Sequence, residues 1–139
     1  MDYKRYNRKI RHIISAPIIW MMLFPVLILD FFLEIYHRIC FPLYGINYVD
    51  RKSYLKLDRY KLNYLRWYDK INCFYCEYVN GVFHYASEIG ARTETYWCGI
   101  KHNSDRENFN HPAHHNEFMN YGDKDSYCKL SQEKNLKNK

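Results

Sequence analysis

Residues 13–29 read IISAPIIWMMLFPVLIL, and none of these 17 side chains carries a charge. After Asp30 the apolar stretch continues through Phe31–Leu33. A helix needs about 20 apolar residues to cross a bilayer, so this run lies at the lower edge of the spanning length. We therefore predict a mainly α protein with a membrane-embedded helix over residues 13–39, preceded by a basic arm over residues 1–12.

Basic residues flank the apolar run on both sides. Those before it are Lys4, Arg5, Arg8, Lys9 and Arg11, and the first ones after it are Arg38, Arg51 and Lys52. A single span usually shows a one-sided excess of Lys and Arg, whereas a re-entrant helix places both basic flanks against the same anionic leaflet. Pro25 lies within the run and should kink or break the helix. A re-entrant or interfacial helix, a true span and the buried core helix of a soluble protein all remain open.

The polar residues after Pro25 are spaced as one face of a helix. Asp30, Glu34 and Arg38 follow each other at intervals of four, which favours a helix lying in the membrane interface over one crossing the hydrocarbon. With its basic start, central proline and exit at the same surface, the segment resembles the re-entrant helix-break-helix of the monotopic phosphoglycosyl transferases. The resemblance is confined to this segment, and the Asp-Glu dyad of that family does not follow it.

The composition indicates one small domain beside the membrane segment. The 139 residues carry 21 Lys and Arg against 15 Asp and Glu, a formal net charge of +6, which favours anionic surfaces. Aromatic residues alternate with basic ones between Arg51 and Lys70, as in proteins that stack on bases, but at helical spacing these rings more simply form a core and a belt facing lipid headgroups. We expect an anionic phospholipid membrane as partner, leave a protein partner open, and do not expect nucleic acid.

Beyond the membrane segment, turn residues predict an irregular connector over residues 40–53. Leucines and aromatic residues then recur at helical spacing, which predicts a helix from about Tyr54 to Asn72. A second helical face follows and should end near Gly90. The next stretch, Thr-Glu-Thr-Tyr-Trp-Cys at 93–98, fits an extended segment at least as well as a helix.

These elements form a small helical Cys/His domain over residues 54–127 with an irregular C-terminal part. The tail, residues 128–139, is polar and rich in lysine, and we predict that it is disordered. Five cysteines cannot all pair within one chain, and no small-residue cleavage site follows the apolar run. We therefore place the domain in the cytoplasm, with reduced thiols.

Two pairs of soft donors have the spacing of a tetrahedral zinc site. Cys73 and Cys76 form a C-x2-C pair, and Cys98 and His102 form a C-x3-H pair. We predict that these four residues bind a structural zinc ion, with iron as the alternative metal. The pairs can meet if the helix ends near Gly90 and the chain returns in extended form, since unbroken helix would hold them apart. Buried free thiols and a redox-active dithiol are the alternatives.

Two further motifs contain histidine. His111, His114 and His115 form the string His-Pro-Ala-His-His, which resembles one histidine box of the membrane di-iron desaturases and hydroxylases. Glu34 and His37 match the Glu-x-x-His element of di-iron helix bundles. Those proteins need several copies of their motif and this chain has one of each, so we expect solvated surface at both places and keep a di-iron site as the alternative.

The stretch from Cys73 to Tyr127 carries a set of short motifs. They are Cys-x-Tyr-Cys at 73–76, Asn80-Gly81, Tyr-Trp-Cys-x-Ile-Lys-His at 96–102 and Tyr121-Gly122-Asp123. In these motifs the chain resembles an uncharacterised family of small bacterial proteins, except that Gly99 stands where the family has proline. The resemblance implies a defined domain and no activity. Together with the apolar segment it places the protein at the bacterial inner membrane, with the domain facing the cytoplasm.

The sequence contains no Gly-rich phosphate loop, nucleophile elbow or His-Glu-x-x-His motif. We expect a membrane-associated protein with a structural zinc site that acts as an adaptor or assembly factor. The alternative is a membrane-bound enzyme acting on a lipid-type substrate, in which His102, Glu88, Glu94 or the histidine string supplies acid and base groups. Whether the protein is an enzyme stays open, and catalytic residues are unassigned.

Overall fold

A computed structural model describes residues 6–103 and 109–137, and over these residues the protein is mainly helical, as predicted. The α-helices are α1 (Tyr6–Met21), α2 (Leu23–Tyr44), α3 (Trp67–Trp97) and α4 (Lys124–Lys137). Short 3-10 turns lie at Arg51–Ser53, Arg59–Lys61 and Ala113–Glu117. The chain divides into two compact units, Met1–Ile89 and Gly90–Lys139. Residues 1–5 of the predicted basic arm and residues 138–139 of the predicted tail lie outside the described residues.

The apolar N-terminal segment is helical from Ile10 to Tyr44 apart from one turn residue, Met22. Pro25 explains this interruption, because it has no amide to donate to the carbonyl of Met21 and its ring clashes with that carbonyl. By length and hydropathy the segment is long and apolar enough to cross a membrane. The prediction of a long apolar helix near the N-terminus is therefore confirmed, and its break lies one turn before the proline.

α2 ends at Tyr44 because Gly45 takes a left-handed backbone angle, φ 66°. The connector therefore begins at residue 45, not at residue 40 as predicted. The helix predicted to start at Tyr54 is also wrong in its first part, since residues 54–66 contain a 3-10 turn and no α-helix. The leucines of this stretch have helical spacing, but Leu55 packs from a non-helical backbone against both apolar clusters of the first unit.

In the first unit α2 and α3 run in the same direction. Near the start of α2, Val26 packs in a cluster with Val79, and near its end Phe41 packs in a second cluster with Ile89. α1 is held to α3, because the Tyr75 hydroxyl of α3 donates to the Ile19 carbonyl of α1 at 2.6 Å. Two neighbouring parallel helices need a connection that returns along them.

The connector supplies that return path. It passes α2 first, where the Val49 amide donates to His37, and ends beside the early turns of α3, where Arg59 forms an ion pair with Glu77 at 3.3 Å. Between these points it lies so close to Gly81 of α3 that a Cβ there would stand 3.1 Å from the Tyr54 carbonyl oxygen. The first part of the connector therefore packs in the core through Val49, Tyr54 and Leu55, whereas most residues after Leu55 are exposed.

α3 continues through Gly90 to Trp97, so the predicted helix end near Gly90 is wrong and residues 93–97 are helical instead of extended. The helix ends where Gly99 takes φ 63°, with the amides of Cys98 and Gly99 donating to the Glu94 carbonyl at 2.8 and 3.2 Å. Proline cannot take a positive φ. At Gly99, where the predicted family resemblance expects proline, the backbone therefore takes an angle that proline cannot adopt.

The second unit contains the end of α3, the 3-10 turn Ala113–Glu117 and α4. Ile100 and Met119 form a short parallel bridge that fastens the chain after α3 to the chain after the 3-10 turn. Asp123 precedes α4 and accepts hydrogen bonds from the Ser126 amide and hydroxyl at 3.1 and 2.7 Å, a side-chain cap of the helix start. Because α4 extends to Lys137, the predicted disorder of residues 128–139 is wrong over its described part.

Candidate functional site

The four residues of the predicted zinc site fall in different units. Half-buried Cys73 and exposed Cys76 lie on α3 in the first unit, and exposed Cys98 and His102 follow the end of α3 in the second. The interval from Cys76 to Trp97 is helical throughout. An unbroken helix advances by about 1.5 Å with every residue, so the extended return that the prediction required is absent. Between Cys76 and Trp97, α3 has no break that could turn the chain back toward Cys73 and Cys76.

Glu94, on the last turns of α3, has a histidine at each carboxylate oxygen. His114 Nε2 lies 2.9 Å from Oε2, and His115 Nε2 lies 3.1 Å from Oε1. These hydrogen bonds hold the pKa of Glu94 below its ordinary value of 4.5, and the bond with His114 contributes more than the bond with His115. The carboxylate is therefore ionised at neutral pH and can only accept hydrogen bonds from both rings.

His115 is the buried member of this group, with 2% of its surface exposed. The turn Ala113–Glu117 places it, and its ring stacks on Phe118 with centroids 4.8 Å apart. Among the described residues its Nδ1 has no hydrogen-bond partner. A buried polar atom without a partner costs about 1–3 kcal/mol, so a hydrogen bond or a bound ligand at this nitrogen would be stabilising.

His102 lies beside the same ring, with centroids 5.4 Å apart. One donor atom each from Glu94, His102 and His115 can be chosen so that all three lie within 4.8 Å of one another. Among the residues that the structure describes, these three form the only group of three or more His, Cys, Asp or Glu side chains close enough to hold one metal ion. The group keeps one residue of the predicted zinc quartet, His102, and replaces the three cysteines.

The expectation of solvated surface for the histidine string is correct for exposed His111 and wrong for His115. His114 is half-buried. Sequence reasoning had named Glu94 only as a general acid or base and had not connected it with the string. The available signal was the combination of three closely spaced histidines with a carboxylate at the end of a helix, but Glu94 and His114 are 20 positions apart in the sequence, which hid the contact.

A second polar cluster lies inside the first unit. Arg51 of the connector binds Asp30 of α2 through both guanidinium nitrogens, Nη1 to Oδ1 at 2.5 Å and Nη2 to Oδ2 at 2.7 Å. Tyr78 of α3 donates to the same carboxylate at 2.7 Å. One carboxylate thus joins α2, the connector and α3, and its burial is the reason that it needs two partners.

His37 is fully buried and continues this cluster. Its Nε2 accepts from the Val49 amide at 3.1 Å, so the proton of the neutral ring is on Nδ1. Nδ1 lies 2.8 Å from the Tyr85 hydroxyl, which in turn donates to Glu34 at 3.1 Å. The order of donors is therefore His37 to Tyr85 to Glu34. The expectation of solvated surface for the Glu-x-x-His motif is wrong.

The polar stripe predicted to face lipid headgroups lies mainly against the protein. Asp30 is buried, and Glu34 contacts both Arg51 and Tyr85. Arg38 alone projects outward, with 74% of its side chain exposed. The spacing at intervals of four was read correctly as one helix face, but the sequence did not reveal that α3 and the connector cover that face.

The outward surface of α2 is apolar. Across this helix, which the structure describes in full, every exposed side chain except Arg38 is apolar. Phe31 and Phe32 are 63% and 62% exposed. We call the exposed apolar residues of α1 and α2 the apolar face; its most exposed members are Ile13, Ile14, Ile18, Met21, Phe24, Phe31, Phe32 and Leu43. Globular helices normally show the opposite polarity.

Comparisons of the chain with protein-family models, with curated proteins and with solved structures found no match. The resemblance carried by residues 73–76 and 96–102 therefore stays a prediction. The structure itself shows a helical protein with an apolar face, an internal polar cluster and a group of histidines around Glu94.

Proposed function

We propose that this protein is a monotopic membrane protein that binds an anionic phospholipid surface through the apolar face and acts there as an adaptor or assembly factor. The observation that carries the proposal is the polarity of α2: Asp30, Glu34 and His37 pack inward, and every exposed side chain except Arg38 is apolar. We further propose the bacterial inner membrane as its location, with the polar parts of the chain on the cytoplasmic side. The basic net charge of +6 supports the anionic partner.

Insertion of the apolar face into lipid is favourable by a wide margin. Removing one large aliphatic or aromatic side chain from water contributes about 1.5–3 kcal/mol. Five of these side chains would therefore contribute on the order of 10 kcal/mol, before the entropy lost on binding is counted. Left in water, an apolar surface of this extent would promote aggregation.

The packing of α2 favours a monotopic position over a span. A helix that crosses a bilayer alone meets lipid on all sides, but one side of α2 is covered by α3 and the connector. The uncovered surface of α3 carries polar side chains, among them Asn72, Asn80 and His84. These groups require water and are interspersed with exposed Ile71, Phe74 and Phe83, so the apolar face is the side of the first unit that we propose to contact lipid.

Flotation with lipid vesicles tests the proposal. The full chain should float with vesicles containing anionic phospholipid, and Phe32→Asp should reduce the bound fraction at least tenfold, because a charge would enter the lipid. Tyr64→Asp is the matched control: Tyr64 is an equally aromatic, 79% exposed residue of the connector outside the apolar face. Equal losses in both variants, or unchanged binding of Phe32→Asp, would contradict the proposal.

A second candidate function, an enzyme acting on a lipid-type substrate, is favoured by one cleft in the first unit. Leu27 and Phe31 line it together with two ion pairs, Arg38 with Glu34 and Arg51 with Asp30. A molecule with an apolar chain and an anionic head could contact both kinds of group if its head competes with the two carboxylates for the guanidinium groups. Incubation with phospholipid or isoprenoid phosphate vesicles, followed by mass spectrometry, distinguishes the candidates: turnover that Arg38→Gln abolishes without reducing flotation would favour the enzyme.

A further inference from the structure

We infer that the second unit binds a first-row divalent metal ion such as zinc through Glu94, His102 and His115. All three residues belong to Gly90–Lys139, so the inference does not rest on the membrane proposal. The donor set is nitrogen and oxygen, not the thiolate-rich set that the spacing of the cysteines had predicted.

The distances are close to those that a metal ion requires. The three donor atoms lie within 4.8 Å of one another. Donors around tetrahedral zinc stand about 3.4 Å apart, because zinc bonds to nitrogen and oxygen measure about 2.0–2.2 Å. His102 is exposed and can approach by rotation of its side chain, whereas Glu94 is fixed on α3 and His115 by burial. Binding therefore needs movement of one side chain.

The protonation of His115 leaves a metal-binding atom free. Because the Glu94 carboxylate only accepts, Nε2 of His115 carries the proton of their hydrogen bond, and the neutral ring has its lone pair on Nδ1. That lone pair is buried and unpartnered among the described residues. An exposed histidine could take water there, but a buried one needs a bound partner. This unpartnered nitrogen supports the arrangement in which the ion binds Nδ1 of His115 and Glu94 lies on the opposite, Nε2 side of the ring.

Glu94 has a role in either arrangement of the ion. As a direct ligand it supplies the negative charge that offsets part of the charge of the metal. As the carboxylate behind His115 it fixes the orientation of the ring and increases its basicity, an arrangement common at zinc sites. His114, on the other carboxylate oxygen, limits the rotation of Glu94. Replacing Glu94 should weaken binding in both cases.

The donor set also predicts the selectivity. Two imidazoles and one carboxylate suit zinc, cobalt and ferrous iron, with zinc bound more tightly than iron, whereas magnesium prefers oxygen donors alone. Three protein donors leave a fourth tetrahedral position for water or a substrate, as in catalytic zinc sites, whereas structural sites are closed. The exposure of His102 leaves that position accessible from solvent.

Calorimetry and cobalt spectroscopy on the metal-free full chain in mild detergent test the inference. We expect one zinc ion per chain, weaker cobalt binding and no magnesium binding. The cobalt complex should show d–d absorption without the intense thiolate-to-cobalt charge-transfer band. His102→Gln should weaken zinc binding at least tenfold, and Glu94→Gln should do the same. His102→Gln is the deciding variant, because His102 is exposed and its replacement leaves the fold intact, which circular dichroism can verify.

The matched controls are Cys98→Ser, Cys76→Ser and His84→Gln, which each remove an exposed potential ligand outside the proposed site. They should keep the zinc affinity of the natural chain. A thiolate band that Cys98→Ser removes would restore the cysteine quartet and overturn the inference. So would zinc affinity unchanged by His102→Gln, or the absence of any binding at millimolar zinc.

Discussion

At the scale of single residues, buried charge organises the first unit. Asp30 would be costly to bury alone, and the bidentate contact with Arg51 together with the Tyr78 hydroxyl satisfies both its oxygens. The three side chains, Asp30, Arg51 and Tyr78, come from α2, the connector and α3. Because burial and the Asp30 carboxylate both oppose ionisation of Tyr78, its pKa is raised to about 12. The cluster therefore holds three elements together through one carboxylate.

The change Asp30→Asn should destabilise the first unit by about 2 kcal/mol, because the partly buried Arg51 guanidinium loses its bidentate counter-charge and keeps only the longer contact with Glu34. Arg38→Gln is the matched control, since it also removes one partner of an ion pair on α2, but this pair is exposed. We expect no measurable change from it. Urea unfolding in detergent micelles, followed by circular dichroism, measures both. Equal effects would contradict the assignment of the buried pair as the stabilising one.

The raised pKa of Tyr78 predicts a loss of stability at alkaline pH. The pKa of Tyr78 has its ordinary value of 10.0 in the unfolded chain and is about 12 in the folded chain. The folded state therefore holds this proton more tightly, so the stabilisation is complete below pH 10 and is lost as the pH rises through about 12. Phenolate absorbance and unfolding experiments across this range measure the effect. Tyr78→Phe should remove this part of the alkaline loss.

At the scale of elements, α3 contains two interior glycines with opposite surroundings. A Cβ at Gly81 would meet the Leu55 Cγ at 3.0 Å and the Tyr54 carbonyl oxygen at 3.1 Å, because the connector crosses the helix there. At Gly90 no atom lies within 4 Å of the same position. Glycine is unfavourable inside a helix, so Gly81 is explained by close packing and Gly90 is not.

The two glycines should respond in opposite ways to replacement by alanine. Gly90→Ala should stabilise the protein by up to about 1 kcal/mol, since alanine favours the helix and meets no neighbour. Gly81→Ala has the same gain in helix propensity but must displace the backbone of the connector, so it should be less stable than Gly90→Ala and no more stable than the natural chain. Thermal unfolding of both variants measures the difference. Similar stabilisation of both would show that the connector does not approach α3 closely.

At the scale of the whole molecule, the exposed side of α1 and α2 is inverted in polarity relative to a water-soluble protein, although the first unit also has two apolar clusters in its core. Charged and hydroxyl groups lie between α2, the connector and α3, and large apolar side chains face outward along α1 and α2. In lipid, buried ion pairs avoid the cost of exposed charge and the outward side chains need no protein cover. The inversion and the monotopic proposal therefore explain each other.

A monotopic position predicts that both ends of the chain lie on one side of the membrane. In sealed vesicles, a membrane-impermeant thiol reagent should label Arg11→Cys and native Cys128 from the same side, each studied as the single cysteine with the others replaced by serine. Detergent-opened vesicles provide the control for full accessibility. Labelling from opposite sides would show that the apolar segment spans the bilayer.

The sequence by itself determined the helical class, the apolar N-terminal segment and its break near Pro25, because these depend on local composition and on the chemistry of one proline. The end of α2 at Gly45 is local in the same way, although the prediction placed it five residues too early. Only the tertiary structure decided which face of α2 is covered, that residues 54–66 return as a connector, and that Glu94 meets His115. Those contacts join residues about 20 or more positions apart, and helical periodicity gives the faces of a helix but not the partner that buries each face.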